Sequence, residues 1–149
     1  IEKIQSKHKK QKRPVILGLR THIIVREKES QAWEAARELL SLAQPRVIQQ
    51  RKNQRGPTPM VGRSAQETNA KDHRVGKHLW NGISTVRVNC GTAIVGNVEQ
   101  VSQELLRYWE MGIDEFILSG YPHLEECLRV SKKLLPVVRH KIKAARQQK

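Results

Sequence analysis

Aromatic side chains are scarce in this sequence of 149 residues: Trp33, Trp80, Tyr108, Trp109, Phe116 and Tyr121 are all there are. A base-stacking surface needs several of them interleaved with cations, so none is expected. Cysteine is rarer still. Cys90 and Cys127 form no CxxC pair and cannot build a disulfide scaffold, which fits a reducing, cytoplasmic compartment. No run of even ten apolar residues occurs, which excludes a membrane-spanning helix and a secretory h-region. Acidic residues are outnumbered, with 14 Asp and Glu against 28 Lys and Arg, a formal net charge of +14.

What is present suffices for one modest core, since Leu, Ile, Val and Phe fill about a quarter of the positions, above the composition of a disordered chain. Positive residues crowd at both ends, as Lys3, Lys7, Lys9, Lys10, Lys12 and Arg13, then Arg139, Lys141, Lys143, Arg146 and Lys149. A third group, including Arg46, Arg51, Arg63 and Arg74, lies in a polar middle stretch. A pI near 10 suggests nucleic acid, because phosphate neutralisation dominates that affinity. No zinc-finger, RNP or glycine-rich RNA motif accompanies the charge. Solvated helix faces and loops are therefore the favoured reading, with nucleic acid the runner-up.

Residues 15–26 (VILGLRTHIIVR) read as a strand with two unlike faces. Leu17, Leu19, Thr21, Ile23 and Val25 form an apolar face; Gly18, Arg20, His22, Ile24 and Arg26 form the other. Helices are expected over the first, and a polar cavity lined by Arg20 and His22 beside the second. Residues 29–43 predict an amphipathic helix with Ser30 as N-cap and Trp33 in the core. The stretch 44–78, rich in Pro, Gly, Gln and Arg, predicts a long loop.

Residues 79–96 are short-period and punctuated by glycine. Asn97 with Gln100 predicts a capped helix start and Gly112 its end. Residues 113–119 (IDEFILS) read as a buried strand. A final helix follows, with Leu124, Cys127, Leu128, Ser131, Leu135 and Val138 on its apolar stripe, which makes Cys127 a core thiol. The predicted order is strand, helix, insertion, helix, strand, helix, an α/β pattern with two parallel strands. Two strands cannot cover their own edges, so the sequence is expected to be a piece of a longer chain.

Three stretches, GLRTHIIVREKESQAWEAARELL, then LWNGISTVR with GTAIVGNVEQV, and MGIDEFILSGYPHLEECLRV, resemble the C-terminal part of the flavin-dependent alkanesulfonate monooxygenases. These belong to the bacterial-luciferase-like superfamily. The resemblance covers about residues 1–138 and is weak over 44–78. It implies the last quarter of a TIM (β/α)8 barrel, about two βα units: a helix end, strand and helix over 1–43, a mobile lid over 44–96 and a final helix-strand-helix over 97–138, after which 139–149 read as a basic tail. The implied reaction takes reduced FMN from an NAD(P)H-dependent FMN reductase and uses O2 to convert an alkanesulfonate to aldehyde and sulfite; the alternatives are a related luciferase-like monooxygenase acting on another sulfonate or a sulfone, and a non-catalytic basic remnant that binds nucleic acid.

Residue by residue, the resemblance places Arg20 and His22 in the catalytic site. Arg20 could hold a sulfonate or stabilise a peroxide anion, and His22 could shuttle a proton. Arg87 would close over the site from the lid, although Val88, Asn89 and Cys90 stand where the family has glycines that could act as a hinge. Tyr121, with Ser119 and Gly120, would lie near the flavin phosphate or substrate. His123 reads as a surface residue at a helix start. No metal ligand set is expected. The family's other site residues belong to an N-terminal half absent from these 149 residues, so the isolated chain is expected to be inactive. A cytoplasmic homo-oligomer is expected of the full-length protein.

Overall fold

A computed structural model of the chain describes residues 15–43, 71–85 and 91–148, together with four helical residues, 2, 6, 45 and 46. Its elements are β1 (Gly18–Arg26), α1 (Glu29–Ser41), a 3-10 turn (Lys71–His73), β2 (Leu79–Trp80), a second 3-10 turn (Gly82–Thr85), β3 (Ala93–Asn97), α2 (Val98–Glu110) and β4 (Glu115–Ser119). The chain then runs through α3 (His123–Arg129), one π turn (Val130–Leu134) and α4 (Leu135–Gln147).

Local chemistry explains the helix ends. At the start of α2 the Asn97 side chain accepts from the Gln100 N–H and the Gln100 side chain accepts from the Asn97 N–H, each at 2.9 Å. Two of the orphan donors of the first turn are thereby satisfied. Beyond its other end Gly112 takes a φ of 100°, the left-handed conformation that a side chain would resist. The start of α1 differs from expectation. Its N-cap is Lys28 rather than Ser30, and the Lys28 N–H donates to Gln31 Oε1 at 3.1 Å.

Among the described residues four strands form one sheet in the order β2-β3-β1-β4. β1 runs parallel to both β3 and β4, while β2 is antiparallel to β3. Two of these strands were not anticipated. The segment AIVGN offers only five residues with a glycine among them, and its identity as a strand comes from pairing with β1 rather than from its own pattern. The second half of the supposed lid segment thus enters the sheet. β4 is also less buried than expected, because among the described strands it is an edge and Ile117 is 63% exposed.

Helices lie on both faces of the sheet. On one face Ile23, Val25 and Ile94 pack with Val101 and Leu105 of α2, Leu134 of the π turn and Val138 of α4. On the other, Ile24, Ala93 and Val95 pack with Ala32, Trp33 and Ala36 of α1 and with Trp80 and Ile83. The described residues therefore form a layered α/β sheet. Strands of a (β/α)8 barrel neighbour one another in chain order with all helices outside. Here β1 sits between β3 and β4, and α1 covers part of the face that carries His22.

The final helix also departs from its expected stripe. Pro136 has no N–H for the Lys132 carbonyl, and its ring crowds that carbonyl in an ordinary α-turn. The chain widens into the π turn immediately before it. The side chains turned inward then follow a spacing of four, through Glu126, Val130, Leu134, Val138 and Ile142, instead of the predicted set. Cys127 is consequently exposed, with Leu124 and Leu128, and is not a core thiol. The supposed basic tail, from 139 on, is helical through Gln147.

Candidate active site at the carboxyl end of β4

Parallel pairing of β1 with β4 sets Arg20 beside Ile117 and His22 beside Ser119. Facing residues of parallel neighbours point to the same side, so Arg20, His22 and Ser119 share one face. His22 is buried at 4% exposure, and its Nδ1 lies 3.1 Å from Ser119 Oγ in a hydrogen bond whose direction follows the imidazole tautomer. The turn after β4 brings Tyr121 over the imidazole, with ring centroids 5.6 Å apart and planes 19° from parallel. Tyr121 in turn meets the His123 ring at 4.5 Å. The Tyr121–Pro122 peptide is cis.

His123 does more than the expected surface residue. Its Nδ1–H donates to the Gly120 carbonyl at 2.8 Å, which leaves Nε2 as the open position of an exposed ring. Arg20 is exposed two residues before His22. The site therefore combines a guanidinium, a serine hydroxyl, a tyrosine ring and two imidazoles. Such a set can bind an anionic group and move a proton.

Gly120 is required by close approach. A Cβ there would stand 2.7 Å from the Glu126 Cβ and 3.1 Å from the Ile23 carbonyl. Glu126, 2% exposed, fixes this turn. Its Oε1 accepts from Arg26 Nη1 at 2.6 Å and also from Arg129, so one carboxylate ties the end of β1 to α3. The sequence reading missed Glu126. Only its i,i+3 spacing to Arg129 hinted at a pair.

A second polar cluster joins the first turns of α1 and α2. Glu29 Oε2 accepts from Gln100 Nε2 at 2.7 Å and Oε1 accepts from Trp33 Nε1 at 3.3 Å. These hydrogen bonds, with smaller help from His78 and Arg74, hold the Glu29 carboxyl below its ordinary value against a weak opposing effect of burial. The Arg74 guanidinium lies 3.6 Å over the Trp33 ring.

The structure thus brings together His22, Ser119, Gly120 and Tyr121, places Arg20 on the same face, and adds His123. Arg87, the expected lid arginine, lies outside the described residues, as does Cys90. Among the described residues no cluster of three His, Cys, Asp or Glu could hold a metal ion, and no helix is long and apolar enough to cross a membrane. No family model matches the chain.

Proposed function

We propose that the chain is the C-terminal part of a two-component flavin monooxygenase that acts on alkanesulfonates, and that His22, Ser119 and Tyr121 form part of its active site. The observation that supports this reading most is that Arg20 and His22 of β1 and Ser119 of β4 share one face of parallel strands, with Tyr121 in the turn that follows β4. The donor set suits the anionic groups involved. Arg20 and the Ser119 hydroxyl would hold a phosphate or sulfonate, and His22, shielded by Tyr121, would hold or pass a proton at Nε2. Reduced FMN would supply the two electrons that activate O2. A partner reductase would deliver it.

The finer fold belongs to the same proposal. In a closed barrel β3 would lie between β1 and β4, setting His22 and Ser119 about 10 Å apart across two strand spacings. Both would still line one mouth. The open sheet is then the arrangement that these strands adopt without their barrel neighbours, with β4 occupying the β1 edge.

The test is sulfite release from an alkanesulfonate by the gene product that contains this chain, supplied with reduced FMN and O2. The reading expects release, together with a fall of about 100-fold in kcat for His22→Ala. A gene product that releases no sulfite from short or long alkanesulfonates would overturn it. The 149-residue chain alone is expected to release none.

A further inference from the structure

After Glu126 the sequence carries eight Lys and Arg and not one Asp or Glu through residue 149. The structure shows what becomes of these charges. Three are answered by carboxylates: Arg129 by Glu126, Lys133 by Glu27 and Lys141 by Glu99. Lys132, Arg139 and Lys143 are exposed and have no carboxylate partner among the described residues. Arg146, also exposed, leans over the Trp109 ring at 5.8 Å. Arg139, Lys143 and Arg146 follow the i, i+4, i+7 spacing that places them on one side of α4.

We infer that α4 is a docking surface for the phosphate backbone of a nucleic-acid duplex, with Arg139, Lys143 and Arg146 as its principal contacts and Lys132 as a flanking one. In sequence these residues read as solvated charge. The added observation is that folding gathers Arg139, Lys143 and Arg146 on one side of α4 with no carboxylate partner among the described residues, while neighbouring cations find carboxylates. A duplex is favoured over an anionic membrane because the apolar side of α4 is already used. Val138 is buried, Ile142 packs on the core, and no large apolar side chain of α4 is exposed to enter a bilayer. A duplex is favoured over a single strand because α4 carries no Phe, Tyr or Trp to form a platform for successive bases. Binding should be independent of base sequence, since cations to phosphate position a protein without reading bases.

The test is fluorescence anisotropy of the purified chain with a labelled duplex of about 20 base pairs between about 50 and 200 mM salt. Four contacts predict that log Kobs falls against log salt with a slope of about −3.6. The variant R139Q/K143Q/R146Q should flatten that slope by about 2.7, and the single variant Lys143→Gln, which disturbs the helix least, by about 0.9. A control, Lys28→Gln with Arg37→Gln, removes two exposed cations at and on α1 and should leave the slope unchanged. Absence of binding at low salt, an equal flattening by the control, or binding to anionic lipid vesicles as tight as to the duplex would each overturn the inference. Because the assay reads only duplex and vesicle binding, its result is separate from that of the monooxygenase reading.

Discussion

The two faces of the sheet come from the same strands and are covered very differently. Ile23, Val25 and Ile94 look into a layer supplied by α2, the π turn and α4, where Val101, Leu105 and Leu134 have no exposure at all. On the opposite face α1, Trp80 and Ile83 cover only the Ile24, Ala93 and Val95 end, and Arg20 and Ile117 stand in solvent further back. Alternation along β1 makes this division possible, because each residue added to one face is matched by one on the other. One face concentrates stability. The other leaves backbone-anchored polar groups accessible, as a binding site requires.

The comparison breaks most visibly in a pair of truncations. Leu105→Ala removes a fully buried side chain from the covered face and should cost about 2–5 kcal/mol in urea unfolding. Ile117→Ala, on the open face, should change stability by less than about 0.5 kcal/mol despite deleting similar apolar volume. Equal losses at the two positions would mean that the open face is covered in solution.

Glu126 lies where the two regimes meet. Glu126→Ala strands the Arg26 and Arg129 guanidiniums beside a buried cavity, an expected loss of about 3 kcal/mol, at the low end for a buried pair because both arginines reach solvent. Glu126→Gln keeps the volume and one acceptor and should cost less. Gly120→Ala drives a methyl group toward the Ile23 carbonyl and the Glu126 stem; a loss of about 1–3 kcal/mol is expected, with altered Tyr121 and His123 ring signals in NMR spectra. Unchanged ring signals would show that the turn yields without moving the site.

Features that rest on neighbours in sequence were legible, and those that rest on partners in space were not. Asn97, Gln100 and Gly112 marked α2 correctly because a cap is made within four residues. The alternation that put Arg20 and His22 opposite Ile23 and Val25 was equally local, and the structure keeps it. By contrast, β3 became a strand only through β1. The inward stripe of the last helix was misread because the π turn before Pro136 offsets the winding of Leu124, Cys127 and Leu128 from that of Val138, so one regular period cannot place both halves. Tyr121 over His22 needed the β1–β4 pairing before the two could be related at all.

The smallest expected effect concerns Glu29, which stitches α1 to α2 at the carboxyl ends of β1 and β3. Its carboxyl is held below its ordinary value of 4.5 chiefly by the Gln100 hydrogen bond and next by that of Trp33. A depressed folded-state value favours the folded protein while the carboxyl is ionised in both states, so the contribution is complete above the ordinary value and disappears as pH falls through the folded one. Glu29→Gln should therefore lower the urea midpoint slightly at pH 6, and wild type and variant should converge as pH falls below the folded-state value. Gln100→Ala tests the cause. It removes the first hydrogen bond while leaving the carboxyl in place, so the Glu29 titration followed by NMR should move back up toward the ordinary value. A titration unmoved in that variant would assign the shift to Trp33, His78 and Arg74 instead, and would mean that the Glu29 carboxyl is held by α1 and the 71–85 segment rather than by α2.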